Sequence, residues 1–103
     1  PRFLAMQIAQ LYQIVAPKFI KPILQQGIDD GSIQATNPGE LAEAIMVLSN
    51  VWLNPLVSMT NAAGMRNRCK TFNNLLQGVG INQLLDDEMI EGYISYCKSQ
   101  HTA

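Results

Sequence analysis

Leu24-Gln-Gln-Gly-Ile-Asp-Asp-Gly-Ser-Ile-Gln-Ala-Thr-Asn-Pro-Gly-Glu40 holds a helix end, a connector and a helix start, and it launches a segment, uncharged from Ala44 on, that reaches Trp52-Leu-Asn-Pro55. Asp30-Gly31 reads as the stop, with Gly31 free to take the left-handed conformation at a helix C-terminus. Residues 32–36 form the connector. Asn37-Pro38-Gly39-Glu40 reads as the start. Asn37 can cap an orphan amide, Pro38 suits the first helical position, and Glu40 can reach back as a capping box. Glu40 and Glu43 also favour the positive end of the helix dipole. The new helix is expected to run to about Leu53, because Pro55 pushes Asn54 out of the helical region. Leu41, Ala44, Ile45, Leu48, Val51 and Trp52 make one face, while Ala42, Met46, Val47 and Leu53 populate the others. Such a helix is expected to be buried on more than one side. In a chain this small, that calls for cover from outside the chain.

Working outward, the same 3.6-residue periodicity recurs and no strand signal stands out. Leu4, Ile8, Leu11, Tyr12 and Val15 form one stripe, and Phe19, Ile20, Ile23, Leu24 and Ile28 a second. Pro17 and Pro22 punctuate their junction. Each can sit in a helix's first turn, or Pro22 can kink a helix that begins near Pro17. Met65, Cys69, Phe72, Leu76 and Val79 form a third stripe, flanked by Arg66, Arg68 and Lys70 as a solvated face. Gly78 and Gly80 end that helix. Asp86, Asp87 and Glu88 open the last one, with Lys98 near its end, matching the dipole. The fold class is all-α: one domain, a helical bundle of about five helices with short connectors.

The 103 residues suffice for one domain. Charged residues make up 15%, against roughly 25% in ordinary soluble domains, and a weakly charged surface favours association. The net charge of −1 offers no basic footprint for nucleic acid. Cys69 and Cys97 form no CxxC pair and read as reduced, buried thiols of a cytoplasmic protein. The apolar run from Ala44 to Met65 is interrupted by Ser49, Asn50, Asn54 and Pro55, which argues against a membrane span. The start, Pro1-Arg2-Phe3, lacks a signal peptide and an initiator methionine, so the chain is expected to be a fragment or a processed product.

The catalytic inventory is thin. His101 is the lone histidine and lies near the end, where fraying is expected. Asp29-Asp30 and Asp86-Asp87-Glu88 lie at helix termini. No P-loop, GxGxxG, HExxH or GxSxG motif is present. The reading is of a non-enzyme with no metal site and no cofactor. The amides within apolar helix are more informative, since a buried amide is costly unless bonded. Asn50 and Asn54 either bond to backbone at the Pro55 break or across an interface, or they line a ligand cavity with Tyr12, Met46 and Trp52.

Gly27-Ile28-Asp29-Asp30-Gly31-Ser32-Ile33 followed by Asn37-Pro38 resembles the C-terminal regulatory domain of TetR-family transcriptional repressors. Trp52-Leu53-Asn54-Pro55 and Gly78-Val79-Gly80-Ile81 before an acidic helix start resemble it too, so the likeness spans roughly residues 19–100. The resemblance implies an all-helical effector-binding domain that homodimerises, two helices per subunit packing into a four-helix bundle. An internal pocket would sense a small, apolar molecule. The family's DNA-binding helix-turn-helix lies at the N-terminus and has no counterpart here, so DNA contact is expected only through a missing N-terminal domain. On this reading the helix from Pro38 to Leu53 and the one from about Thr60 to Gly78 carry the dimer. Val47, Val51, Met65, Cys69, Phe72 and Leu76 are the interface candidates. The alternative is a free-standing helical interaction module whose groove receives a partner helix.

Overall fold

A computed structural model describes residues 2–101, with the side chain of His101 outside that description. Five α-helices follow in order: α1 (Arg2–Gln10), α2 (Lys21–Asp29), α3 (Pro38–Val47), α4 (Ala62–Gln77) and α5 (Asp87–His101). No strand occurs among the described residues, and the protein is all-α. The chain divides into two compact units, Pro1–Asn50 and Val51–Ala103.

In unit 1, α1 and α2 are ends of one helical run, joined by the wide-wound π-helical segment Leu11–Ile20. There the Lys21 amide bonds the Ala16 carbonyl, five residues back. Pro17 sits inside the wide segment, and Pro22 lies at the first residues of α2. Neither proline opens a separate helix. A proline ring inside an α-helix collides with the carbonyl four residues back and supplies no amide. Bonding five residues back moves the partner carbonyl away and lets the run continue.

The stop at Asp30-Gly31 forms as expected, with Gly31 at φ 86°. The Gly27 carbonyl accepts from the Ile33 amide (2.9 Å) and from the Ser32 hydroxyl (3.2 Å). Ile33 thereby folds back over the helix end. A Cβ on Gly27 would come within 2.7 Å of Ile33 Cγ1. Glycine here serves close approach rather than an unusual dihedral.

The start at Asn37 differs from expectation. α3 begins at Pro38, yet the Asn37 side chain accepts no amide, and no capping box forms with Glu40. The cause is the backbone: Asn37 sits at φ −127°, ψ 80°, short of the extended ψ from which a capping side chain reaches the second or third amide. Asn61 before α4, at ψ −179°, does reach and accepts from the Gly64 amide at 2.8 Å.

α3 continues as a wide-wound turn, Leu48–Trp52. Ser49 Oγ donates to the Ile45 carbonyl (2.7 Å) and Asn50 Nδ2 to the Met46 carbonyl (2.8 Å). These side chains compete with the backbone for the carbonyls that would close tight turns. Nor is α3 buried all round: Ala42 and Ile45 are buried, Leu41, Met46, Val47 and Leu48 are half-buried, and Ala44 is exposed.

Unit 2 is built around α4. Met65, Cys69, Phe72 and Leu76 are buried with Leu53, Leu85, Ile94 and Cys97. Arg68 belongs to no solvated face. Its guanidinium donates to the Trp52 carbonyl (3.1 Å), the Ser58 carbonyl (2.8 Å) and the Ser58 hydroxyl (3.2 Å). Asn73 holds Leu85 by both backbone groups, donating to its carbonyl and accepting from its amide at 3.0 Å each. Asp86 starts α5, its carboxylate accepting from the Met89 amide at 2.8 Å.

Candidate functional site

In unit 2, the turn after Trp52 is shaped by Pro55. Asn54 Oδ1 accepts from the Leu56 amide (3.0 Å), and the Asn54 carbonyl accepts from the amides of Val57 and Ser58, each at 3.0 Å. Arg68 ties both ends of this turn to α4 through Trp52 and Ser58. The turn is therefore fixed in place, and it makes one wall of a hollow of about 460 Å³. Asn54, Pro55 and Leu56 form that wall; Met89, Gly92, Tyr93 and Tyr96 of α5 form the other.

Positions 89, 92, 93 and 96 follow helical spacing and share one face of α5. Gly92 deepens the hollow at its middle, since a Cβ there would meet nothing within 4 Å. The lining is almost wholly apolar. Its polar groups are the Asn54 amide and the two tyrosine hydroxyls. Burial pushes the Tyr93 phenol above its ordinary range, with Cys69 adding to the rise, so Tyr93 stays neutral at physiological pH. A surface hollow of this kind offers contact area to an apolar body together with neutral hydrogen bonds. It gathers no nucleophile–base pair.

A second hollow, of about 410 Å³, lies in unit 1, lined by Tyr12 and by Glu40, Glu43, Ala44, Val47 and Leu48 of α3.

Of the five residues expected to share one cavity, Tyr12, Met46 and Asn50 belong to unit 1 and Trp52 and Asn54 to unit 2. Tyr12 lines the unit 1 hollow and Asn54 the unit 2 hollow. Met46 is half-buried, and its carbonyl takes the amide of Asn50, which faces solvent. Trp52 is half-buried and contributes its carbonyl to Arg68. Asn50 donates to the Met46 carbonyl one turn back, and Asn54, while lining its hollow, accepts from the Leu56 amide at the Pro55 break. Of the dimer candidates, Met65, Cys69, Phe72 and Leu76 are buried in the core of unit 2 and present no surface to a second copy. An apolar stripe at helical spacing serves a core as readily as an interface, and here α5 covers it. Val47 and Val51 remain half-exposed.

Cys69 and Cys97 are free and buried. Burial raises the Cys69 thiol above its ordinary range, and Cys97 adds to the rise. Among the described residues no group of three potential ligands is placed to hold a metal ion, and no helix is long and apolar enough to cross a membrane. Sequence reading missed Met89, Gly92, Tyr93 and Tyr96 as a lining set. Their helical spacing was visible, but Met89, Tyr93 and Tyr96 read equally well as inward-facing core. No family model, curated protein or solved structure matches the chain.

Proposed function

We propose that the chain is the effector-sensing and homodimerising part of a TetR-like transcriptional repressor, with the unit 2 hollow as its effector site. The observation that carries this reading is the hollow itself: apolar, lined by two tyrosines, held open at Gly92, and without catalytic groups. It suits reversible capture of a small, neutral, largely apolar molecule. A ligand seated between the Asn54–Leu56 turn and α5 would favour one arrangement of the two, and a population shift of that kind is how a sensor signals. Signal to DNA would pass through a helix-turn-helix domain upstream.

Homodimerisation belongs to the same reading. Phe3, Met6, Phe19 and Ile23 stand exposed on the long helical run of unit 1, apolar surface that a second copy would cover. The same stripe also favours the alternative, a free-standing module that takes a partner helix.

The test is a thermal-shift panel of small neutral aromatic and aliphatic compounds on the native chain and on Gly92→Leu. The leucine enters open space and should fill the hollow without disturbing the fold. A compound that raises the melting temperature of the native chain but not of Gly92→Leu supports the reading. Stabilisation that survives Gly92→Leu would move the effector elsewhere. Sedimentation of a folded monomer at roughly tens of micromolar would sink the dimer and leave the module.

A further inference from the structure

The unit 1 hollow differs from the other in charge. Glu40, Glu43, Ala44, Val47 and Leu48 fall at positions i, i+3, i+4, i+7 and i+8 and make one face of α3. Along that face the chemistry grades from two carboxylates to aliphatic side chains. Ala44, small and exposed, leaves a depression between its longer neighbours. Tyr12, 46% exposed, stands alongside from the wide-wound segment, which packs closely against α3.

Neither glutamate has a cationic partner. The one ion pair among the described residues is Arg66 with Glu91, at 3.3 Å in unit 2. The stem of Lys21 runs past Gly39, 3.8 Å from where a Cβ would sit, yet its ammonium pairs with neither carboxylate. The groove thus combines two carboxylates that form no ion pair among the described residues, an aromatic ring and an apolar floor.

We propose that this groove binds a small organic cation, a protonated or quaternary amine carrying an apolar body. The charged head lies between the carboxylates of Glu40 and Glu43, Tyr12 offers its ring to the cation, and the body covers Ala44, Val47 and Leu48. An anion would be repelled. A neutral apolar molecule would strip water from the glutamates without replacing it. A bare metal ion would find two carboxylates and no third ligand. The inference is independent of the unit 2 hollow, since it uses none of its residues.

The probe is phenyltrimethylammonium, with tert-butylbenzene as its uncharged isostere, titrated into the full chain and followed by backbone amide shifts. The cation should move the signals of Tyr12, Ala44 and Val47 and bind roughly tenfold more tightly than the isostere, the sum expected from an exposed cation–π contact and two solvent-screened ion pairs. Replacing both glutamates (Glu40→Gln with Glu43→Gln) should erase that preference, and added salt should weaken the native chain's binding. Ala44→Leu, at an exposed helical position that favours leucine, should block the groove with the fold intact by circular dichroism. No binding, equal binding of the two isosteres, or unchanged binding in either variant overturns the proposal. So do shifts confined to Tyr93 and Tyr96.

Discussion

The two units are held together by different means. In unit 1 every side-chain hydrogen bond among the described residues joins groups five residues apart or fewer. In unit 2, Arg68 reaches ten and sixteen residues away, and Asn73 reaches twelve. The cores differ in the same direction. Ala16, Leu24, Ala42 and Ile45 are the buried apolar side chains of unit 1, whereas unit 2 buries Phe72, Met65, Leu53 and Ile94 completely or nearly so. Unit 1 is thus a set of locally specified helices around a smaller core, in which Leu24 and Ile45 are the large buried side chains. Unit 2 is a packed core whose loops are tied down by polar side chains. The difference matters for ligand sites. A wall made by a turn needs tertiary ties, and Arg68 supplies them; the unit 1 groove runs along one face of α3 and needs only the neighbouring segment to set Tyr12 beside it.

The largest test of this contrast is Phe72→Ala, which should cost unit 2 about 3–5 kcal/mol through lost burial and a residual cavity. Urea unfolding followed at Trp52, with amide exchange read in both units, measures it. Equal loss of protection in unit 1 would break the distinction. Next comes Asn73→Ala. It strips both bonds from Leu85 and should cost about 1–3 kcal/mol, since a buried backbone donor and acceptor are left unpaired. A change under about 0.5 kcal/mol in the same denaturation assay would mean that water replaces the amide and that the tie is dispensable.

In unit 1, Gly27→Ala forces a methyl against Ile33 and should destabilise by about 1–2 kcal/mol, as overpacking does, with exchange rising around residues 24–33. A stabilised variant, the usual result of Gly→Ala in a helix, would show that Ile33 swings aside freely. The two N-cap asparagines sharpen the point. Asn61→Ala should cost about 1 kcal/mol, whereas Asn37→Ala should fall within about 0.5 kcal/mol of the native chain because its side chain caps nothing. Equal losses would show that Asn37 does cap in solution.

The smallest effect concerns pH. Burial lifts the Cys69 thiol above its ordinary 9.0 and the Tyr93 phenol above 10.0. Unfolded, these groups lose their protons first, so the folded state holds more protons in the window above those values. Stability is therefore undiminished below about pH 9 and falls as pH rises from there toward the folded-state values. Melting temperatures between pH 8 and 10.5, compared with those of Cys69→Ala, would measure it. A flat profile would place the thiol and phenol in water.

Much of the fold was legible because its signals are local. The Asp30-Gly31 stop, the helix start at Pro38 and the break before Pro55 rest on dihedral limits that a residue imposes on its own neighbours. Local grammar failed where neighbours compete. Asn37 carries the right side chain at the wrong ψ, and Pro17 stands inside a helix because the run widened around it. The site was less legible. Tyr12, Asn50 and Asn54 were singled out as polar or aromatic groups in apolar surroundings, but such a group becomes a lining residue only when another element faces it. Nothing local told the third stripe apart as core rather than interface.

By itself, then, the sequence determined an all-helical chain and its breaks, since periodicity, proline and glycine act through bonds and near neighbours. The tertiary structure alone decided that α4's stripe is covered by its own chain, that Arg68 is a tie rather than a surface charge, and that two hollows of opposite character exist. Each of those depends on which distant element meets a given face, and no single stretch of residues encodes that.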